Sequence, residues 1–154
     1  MNITVKVVAA TAALVFAGVA FAQKGETVKI AFIDPLSGPF ANVGQNQLKS
    51  WQVVADRLGG AKNVAGVKYD IVGFDNKGSP QESLNSLKAA IDQGFRYVVQ
   101  VNGSAAALAI SDAVRQHHTP HPGRQVLYLT IAAPVPSVPL RHRSYCTFPL
   151  HADT

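Results

Sequence analysis

The sequence predicts an α/β fold: a doubly wound parallel sheet with helices on both faces. Short, almost wholly apolar runs alternate with longer segments whose apolar residues recur at three- and four-residue spacing. Turn-forming residues stand at each boundary. The connections between the apolar runs are long enough to hold a helix, which implies right-handed crossovers between parallel strands.

Val28-Lys29-Ile30-Ala31-Phe32-Ile33 is apolar almost throughout, the pattern of a strand buried on both faces. It runs into the turn-rich loop Asp34-Pro35-Leu36-Ser37-Gly38-Pro39. A helix is expected from about Val43 to Leu58, with Leu48, Trp51, Ala55 and Leu58 on one stripe and Val54 beside them. Gly59-Gly60 stops it. Val67–Asp75 reads as the second strand and Asn76–Gly78 as its exit loop.

Ser79-Pro80-Gln81-Glu82 is a helix start. Ser79 can accept from the Glu82 amide, Glu82 can reach back to the cap, and Pro80 occupies the first position, where no donor is needed. Leu84, Leu87 and Ile91 form the expected buried stripe, and Gly94 closes the helix. Tyr97–Val101 is the third strand and Asn102-Gly103 its turn. Ser104 is expected to cap a third helix reaching about Gln116, and Val126–Leu129 is a short fourth strand. Beyond Thr130 the periodicity lapses. Pro134, Pro136, Pro139 and Pro149 interrupt any helix or central strand, so residues 131–154 are expected to be irregular.

The amino terminus carries an address. Lys6, the apolar run Val7–Val19 and Ala20-Phe21-Ala22 have the layout of a secretory signal peptide over residues 1–22, with a mature start at Gln23. The run is shorter than the ~20 residues a spanning helix needs, so no membrane span is expected after cleavage. The net charge of +5 belongs to the tail. Between Lys24 and Val114 basic and acidic residues nearly balance, whereas Arg115, Arg124, Arg141 and Arg143 face only Asp153, and all five histidines lie beyond Val114. Without a clustered basic and aromatic face, nucleic-acid binding is not expected. Cys146 is the only cysteine and cannot form an internal disulfide.

In an open parallel sheet, ligands sit beyond the carboxyl ends of the strands. Leu36–Phe40, Asp75–Gly78 and Asn102–Ala106 should converge there. None carries a nucleotide fingerprint: G-x-G-x-x-G and G-x-x-x-x-G-K-[ST] are both absent, and no cofactor is expected. The Asn102-Gly103-Ser104-Ala105-Ala106 turn offers free amides at a helix N-terminus, where a small carboxylate fits, and Ser104 adds a hydroxyl. The alternative is that Ser104 only caps its own helix. Asn102-Gly103-Ser104 also spells a glycosylation sequon, a poor acceptor in a buried turn. His117-His118-Thr119-Pro120-His121 is interrupted by proline and reads as a solvated loop after a helix, with no metal site. Asp34 and Asp75 end two strands and could form a carboxylate pair, or Asp75 could order its loop. No nucleophile elbow exists, and no catalytic residue or enzymatic activity is expected.

The segment Ile30-Ala31-Phe32-Ile33-Asp34-Pro35-Leu36-Ser37-Gly38-Pro39-Phe40-Ala41, then Gly44, Phe74-Asp75-Asn76, Pro80 and Gly94-Phe95-Arg96-Tyr97-Val98-Val99, resembles periplasmic solute-binding proteins of ABC transporters. Within them it is most similar to the branched-chain amino acid (Leu/Ile/Val) group. The resemblance implies a two-lobed protein that closes on an amino acid, delivers it to a membrane permease and works in the periplasm. Residues 23–130 would be most of the N-terminal lobe, and 131–154 an irregular, off-frame tail of a truncated chain. The resemblance further implies that Gly103, Ser104, Ala105 and Ala106 hold the ligand's carboxylate and help fix its amino group, and that Val43 lines the side-chain pocket. Two other readings stay open: an amino-acid-sensing or partner-binding regulatory module on the same lobe, and a non-functional fragment.

Overall fold

The computed structural model describes residues 25–118, 120, 123–131 and 147–149. The expected signal peptide over 1–22, Cys146, His121 and most of 131–154 lie outside the described residues. The elements run β1 (Thr27–Asp34), α1 (Ala41–Leu58), a 3-10 turn (Gly60–Lys62), β2 (Lys68–Asp75), α2 (Pro80–Asp92), β3 (Tyr97–Gln100), α3 (Ser104–His118), β4 (Leu127–Thr130) and β5 (Thr147–Pro149).

The strands form one sheet in the order β2-β1-β3-β4-β5, and each neighbouring pair is parallel. From β1 the chain steps outward to β2, then returns across β1 to β3 and continues to β4. Right-handed crossovers in opposite directions place their helices on opposite faces. Thus α1 packs on one face, chiefly against β2, while α2 and α3 pack together on the other.

β1 serves both layers because successive side chains point opposite ways. Ala31 and Ile33 join Leu87, Phe95, Val98, Ile110 and Tyr128 in the larger cluster, beneath α2 and α3. Phe32 joins Ala55, Ile71 and Val99 in the smaller one, with Leu48 and Trp51 of α1 packed against it. Phe74 and Phe95 meet edge to face at 5.4 Å, and Phe32 lies 6.4 Å from Trp51. Ile33, Val98 and Ile110 are fully buried. Each such side chain stabilises the fold by about 1.5–3 kcal/mol relative to exposure.

Several local expectations change. Leu58 and Val54 were placed on or beside the buried stripe of the first helix, yet both are exposed. α1 lies mainly over the edge strand, so residues off its central line look past the sheet. The α2 cap forms only in part: Ser79 Oγ accepts from the Glu82 amide at 3.5 Å, but the Glu82 carboxylate accepts from Asn85 at 3.4 Å. The Ser79 amide already donates to the Asn76 carbonyl at 2.8 Å, which leaves it no need of Glu82. Ser104 is the first residue of α3, not the residue before it, and the Gly103 carbonyl accepts from the Ala107 amide at 3.0 Å.

His117 and His118 belong to α3 and are not a solvated loop. The Val126 amide donates to His118 Nε2 at 2.9 Å, and His117 Nε2 lies 3.2 Å from the Arg124 carbonyl, which ties the helix end to the approach to β4. In the segment expected to be irregular, Thr147–Pro149 forms β5, in parallel register with Tyr128–Thr130. Proline is compatible with such a place because an outer strand leaves one side of its ladder unpaired.

Gly44 explains how α1 seats on the sheet. A Cβ there would stand 2.0 Å from the Pro35 carbonyl oxygen and 2.8 Å from its carbon, so helix and loop meet backbone to backbone. Gly44→Ala must push them apart and is expected to destabilise the fold by about 1–3 kcal/mol. Urea unfolding checks this: the midpoint should fall with the slope unchanged, and an unaltered midpoint would disprove the close seating.

Candidate functional site

The sheet order reverses between β1 and β3, and ligands of open α/β sheets settle beyond the strand ends at such a point. A cleft of about 230 Å³ lies there. The β1–α1 loop contributes Pro35 and Phe40, the β2–α2 loop Asn76 and Gly78, and the β3–α3 turn Gly103, Ala105 and Ala106. A larger groove of about 730 Å³ runs between α2 and α3, lined by Leu84, Ile91, Arg96 and Arg124 among others. Arg96 and Arg124 precede β3 and β4, so this groove sits toward the opposite ends of the strands, away from the converging turns.

Two aspartates hold the loops that line the cleft without lining it themselves. Asp34 is fully buried at the tip of β1. Its Oδ1 accepts from the Val101 amide at 3.1 Å and the Asn102 amide at 2.9 Å, and its Oδ2 accepts from Asn102 Nδ2. The same Asn102 Nδ2 donates to Gln47 Oε1 on α1. Burial raises the Asp34 pKa above the ordinary aspartate value, and the bonds from Asn102 and Val101 oppose that rise. Asp75, at the tip of β2, accepts on Oδ1 from the amides of Leu36 at 2.9 Å, Ser37 at 3.2 Å and Lys77 at 2.9 Å. Partial burial works against its ionisation, but the hydrogen bonds from Ser37, Lys77 and Leu36 prevail and hold its carboxyl below the ordinary range. Asp34 and Asp75 are register partners, yet each is spent on loop amides. Of the two sequence alternatives, loop ordering by Asp75 describes its bonds.

Gln100, fully buried at the end of β3, supports the turn from below. Its Nε2 donates to the carbonyls of Asn102 and, at 3.2 Å, Gly103. Its Oε1 accepts from the Tyr128 and Thr130 hydroxyls, each at 3.0 Å. Burial raises the Tyr128 phenol well beyond its usual range, so it remains a donor. Gly103 has φ +92°, a left-handed conformation that glycine adopts without strain. With Ala107 making the first helical bond, the amides of Ser104, Ala105 and Ala106 form the first turn of α3, unpaired among the described residues. Asn76, also buried, lines the cleft, and its side-chain nitrogen has no partner among the described residues.

The structure therefore brings Gly103, Ala105 and Ala106 to the cleft. Ser104 is half-buried and is not among its lining residues, and Val43 stands 46% exposed on α1, also outside the lining. Phe40 lies in the Leu36–Phe40 segment expected to converge here, whereas sequence reasoning missed Gln47 and Gln100. Gln100 had a signal: one polar residue within the apolar run Tyr97–Val101. Gln47 had none, since a glutamine on a helix is ordinarily solvated.

The family model for periplasmic binding proteins matches residues 27–153. The chain belongs to that family. The Leu/Ile/Val-binding protein homolog 4 of Brucella abortus is 36% identical over 124 residues, covering 80% of this chain and 30% of the relative. The Leu/Ile/Val-binding protein of Escherichia coli is 28% identical over 143 residues, covering 92% of this chain and 36% of that protein. Among solved structures, the leucine-, isoleucine-, valine-, threonine- and alanine-binding protein of Brucella ovis, in its closed conformation, superposes with a TM-score of 0.66 at 30% identity, over 80% of this chain and 32% of that one. The chain thus spans about a third of the length of these relatives. The family match extends to residue 153, into the segment that the sequence alone left without a recognised counterpart.

The hydrogen bonds to Asp75 carry a pH signature. A carboxyl held below its unfolded pKa adds stability that is present above the unfolded value, declines below it and is lost as pH falls through the folded pKa. Asp75→Asn should therefore lower stability by about 1 kcal/mol at neutral pH, allowing for partial exposure, and the gap to wild type should close below about pH 4. Urea titrations of both proteins at neutral and acid pH measure it. A gap that persists in acid would place the effect in packing and not in charge.

Proposed function

We propose that this chain is exported to the periplasm and serves an ABC transporter as a substrate-binding component for branched-chain or other hydrophobic amino acids. The observation that carries this reading is the unpaired first turn of α3, Ser104–Ala106, opening beside Gly103 onto a cleft at the sheet's switch point. Backbone N–H groups at a helix N-terminus attract a carboxylate without any cationic side chain. The wall opposite is apolar and aromatic: Pro35, Phe40 and Pro80 line it, and Phe40 is 63% exposed. That combination suits a ligand with an acid end and a hydrocarbon body. The Leu/Ile/Val-binding names of the relatives support the same class. Membership in a family of binding proteins also supports a non-catalytic role, with binding by contact alone and transfer to a membrane permease. Ser104 and Val43, although outside the lining, remain part of the proposal: Ser104 would reach the ligand's acid or amino group and Val43 its side chain.

Affinity of the chain for L-leucine should be about 1 mM or weaker, because this cleft covers little of such a ligand and association carries its own entropic cost. Amide spectra of the ¹⁵N-labelled chain test the mode of binding. L-leucine should shift Gly103, Ser104, Ala105 and Ala106, whereas isopentylamine, which lacks the carboxylate, should leave them in place. Ala105→Asp puts a negative charge at the cleft in a helix position that tolerates it, and should weaken leucine binding roughly tenfold or more while leaving the fold intact. Equal shifts from both ligands, or unchanged affinity in the variant, would refute carboxylate docking at this turn.

A further inference from the structure

The Asp34 carboxylate does not line the cleft, yet it touches what shapes it. An ionised carboxylate only accepts hydrogen bonds. Oδ1 takes the backbone amides of Val101 and Asn102, and Oδ2 takes the Asn102 side chain. With its other hydrogen directed at Gln47 Oε1, the Asn102 side-chain amide has one orientation, set by two acceptors on two different elements. A proton on Oδ2 would set donor against donor at Asn102, and one on Oδ1 would displace the two backbone amides.

We propose that Asp34 is the positioning residue of the cleft: its ionised carboxylate fixes the β3–α3 turn, so that the amides from Gly103 to Ala106 face a ligand in order only while Asp34 is charged. The proposal deepens the reading of that turn as a carboxylate anchor and rests on it. Among the described residues, the titratable groups beside Asp34 are Asp75, its register partner on β2, and Tyr128 on β4, which feels the Asp34 charge. Tyr128 stays protonated throughout the relevant range. The neighbours from α1 and from the turn, Gln47 and Asn102, are neutral. Burial of Asp34 raises its proton affinity, so the turn loosens at a higher pH than an ordinary aspartate would allow.

A pH titration of amide resonances of the ligand-free ¹⁵N-labelled chain tests this, between about pH 7.5 and pH 2.5. Val101, Asn102 and Gly103–Ala106 should move together with one midpoint above the ordinary aspartate value. Leu36, Ser37 and Lys77 report on Asp75 and should keep a separate, lower midpoint. In D34N the first transition should vanish, and the Val101 and Asn102 amides should exchange with solvent roughly tenfold faster, as loss of a hydrogen bond to a charged group implies. Should D34N fail to fold, N102A serves: it keeps the backbone bonds to Asp34 but removes one that favours the charged form, so the midpoint should rise. Static turn amides, a turn that follows only the Asp75 midpoint, or an unchanged midpoint in N102A would overturn the proposal. L-leucine added at the upper pH separates the two readings. If the turn titrates as expected but leucine leaves it unmoved, Asp34 positions the turn and the ligand assignment fails. If leucine shifts the turn amides while no titration is seen, the ligand assignment stands and the positioning role is refuted.

Discussion

The cleft depends on a negative charge sealed inside the sheet. Asp34 ends β1 at the point where the chain's path across the sheet changes direction, and its side chain joins a strand tip to a turn sixty-odd residues further on. The Asn76 amide also donates to the Asp34 carbonyl at 3.1 Å, so backbone and side chain of one residue hold the exits of all three strands at this edge. A buried charge is tolerated only where hydrogen bonds replace its lost hydration. Two backbone amides and one side-chain amide do that here, and the same bonds give the turn its shape.

Around this point the two faces of the sheet do different work. α2 and α3 cover the larger apolar cluster, which locks β1, β3 and β4 together through Ile33, Val98 and Tyr128. α1 covers the smaller cluster and is pinned to the first loop by the contact of Gly44 with Pro35 and by the bond from Gln45 Nε2 to the Leu36 carbonyl at 2.8 Å. Polar groups then tie the elements together: Gln47 of α1 accepts from Asn102 at the β3–α3 turn, and within the sheet Gln100 accepts from Tyr128 and Thr130. Cleft walls that come from separate layers are therefore joined by hydrogen bonds beneath the surface.

Much of the fold was legible because parallel strands and amphipathic helices write strong periodic signals. Val28–Ile33, the Ser79-Pro80 helix start and the apolar run Tyr97–Val101 each gave the right element within a residue or two. The cleft was legible as a place, since topology brings the three loop exits to one edge. Its detailed wall was not. Whether Val43 or Phe40 faces the cleft depends on the rotation of the first turn of α1, which the backbone contact at Gly44 sets and no local pattern announces. Asp34 was noticed, but its bonds to Val101 and Asn102 span most of the lobe, beyond the reach of any spacing rule. The β5 strand was missed because three residues ending in proline carry no period.

The residues that wall the cleft stand apart from those that hold the layers. Phe40, Gly78, Pro80 and Ala105 belong to neither apolar cluster. Phe40 and Ala105 can be exchanged with little penalty in folding, whereas Gly78, at φ +72°, and Pro80, in the first turn of α2, serve the backbone as well. Asp34 and Gln100 have no such freedom, because altering either leaves buried partners unsatisfied. Part of the cleft's surface can thus change while the frame beneath it is inherited.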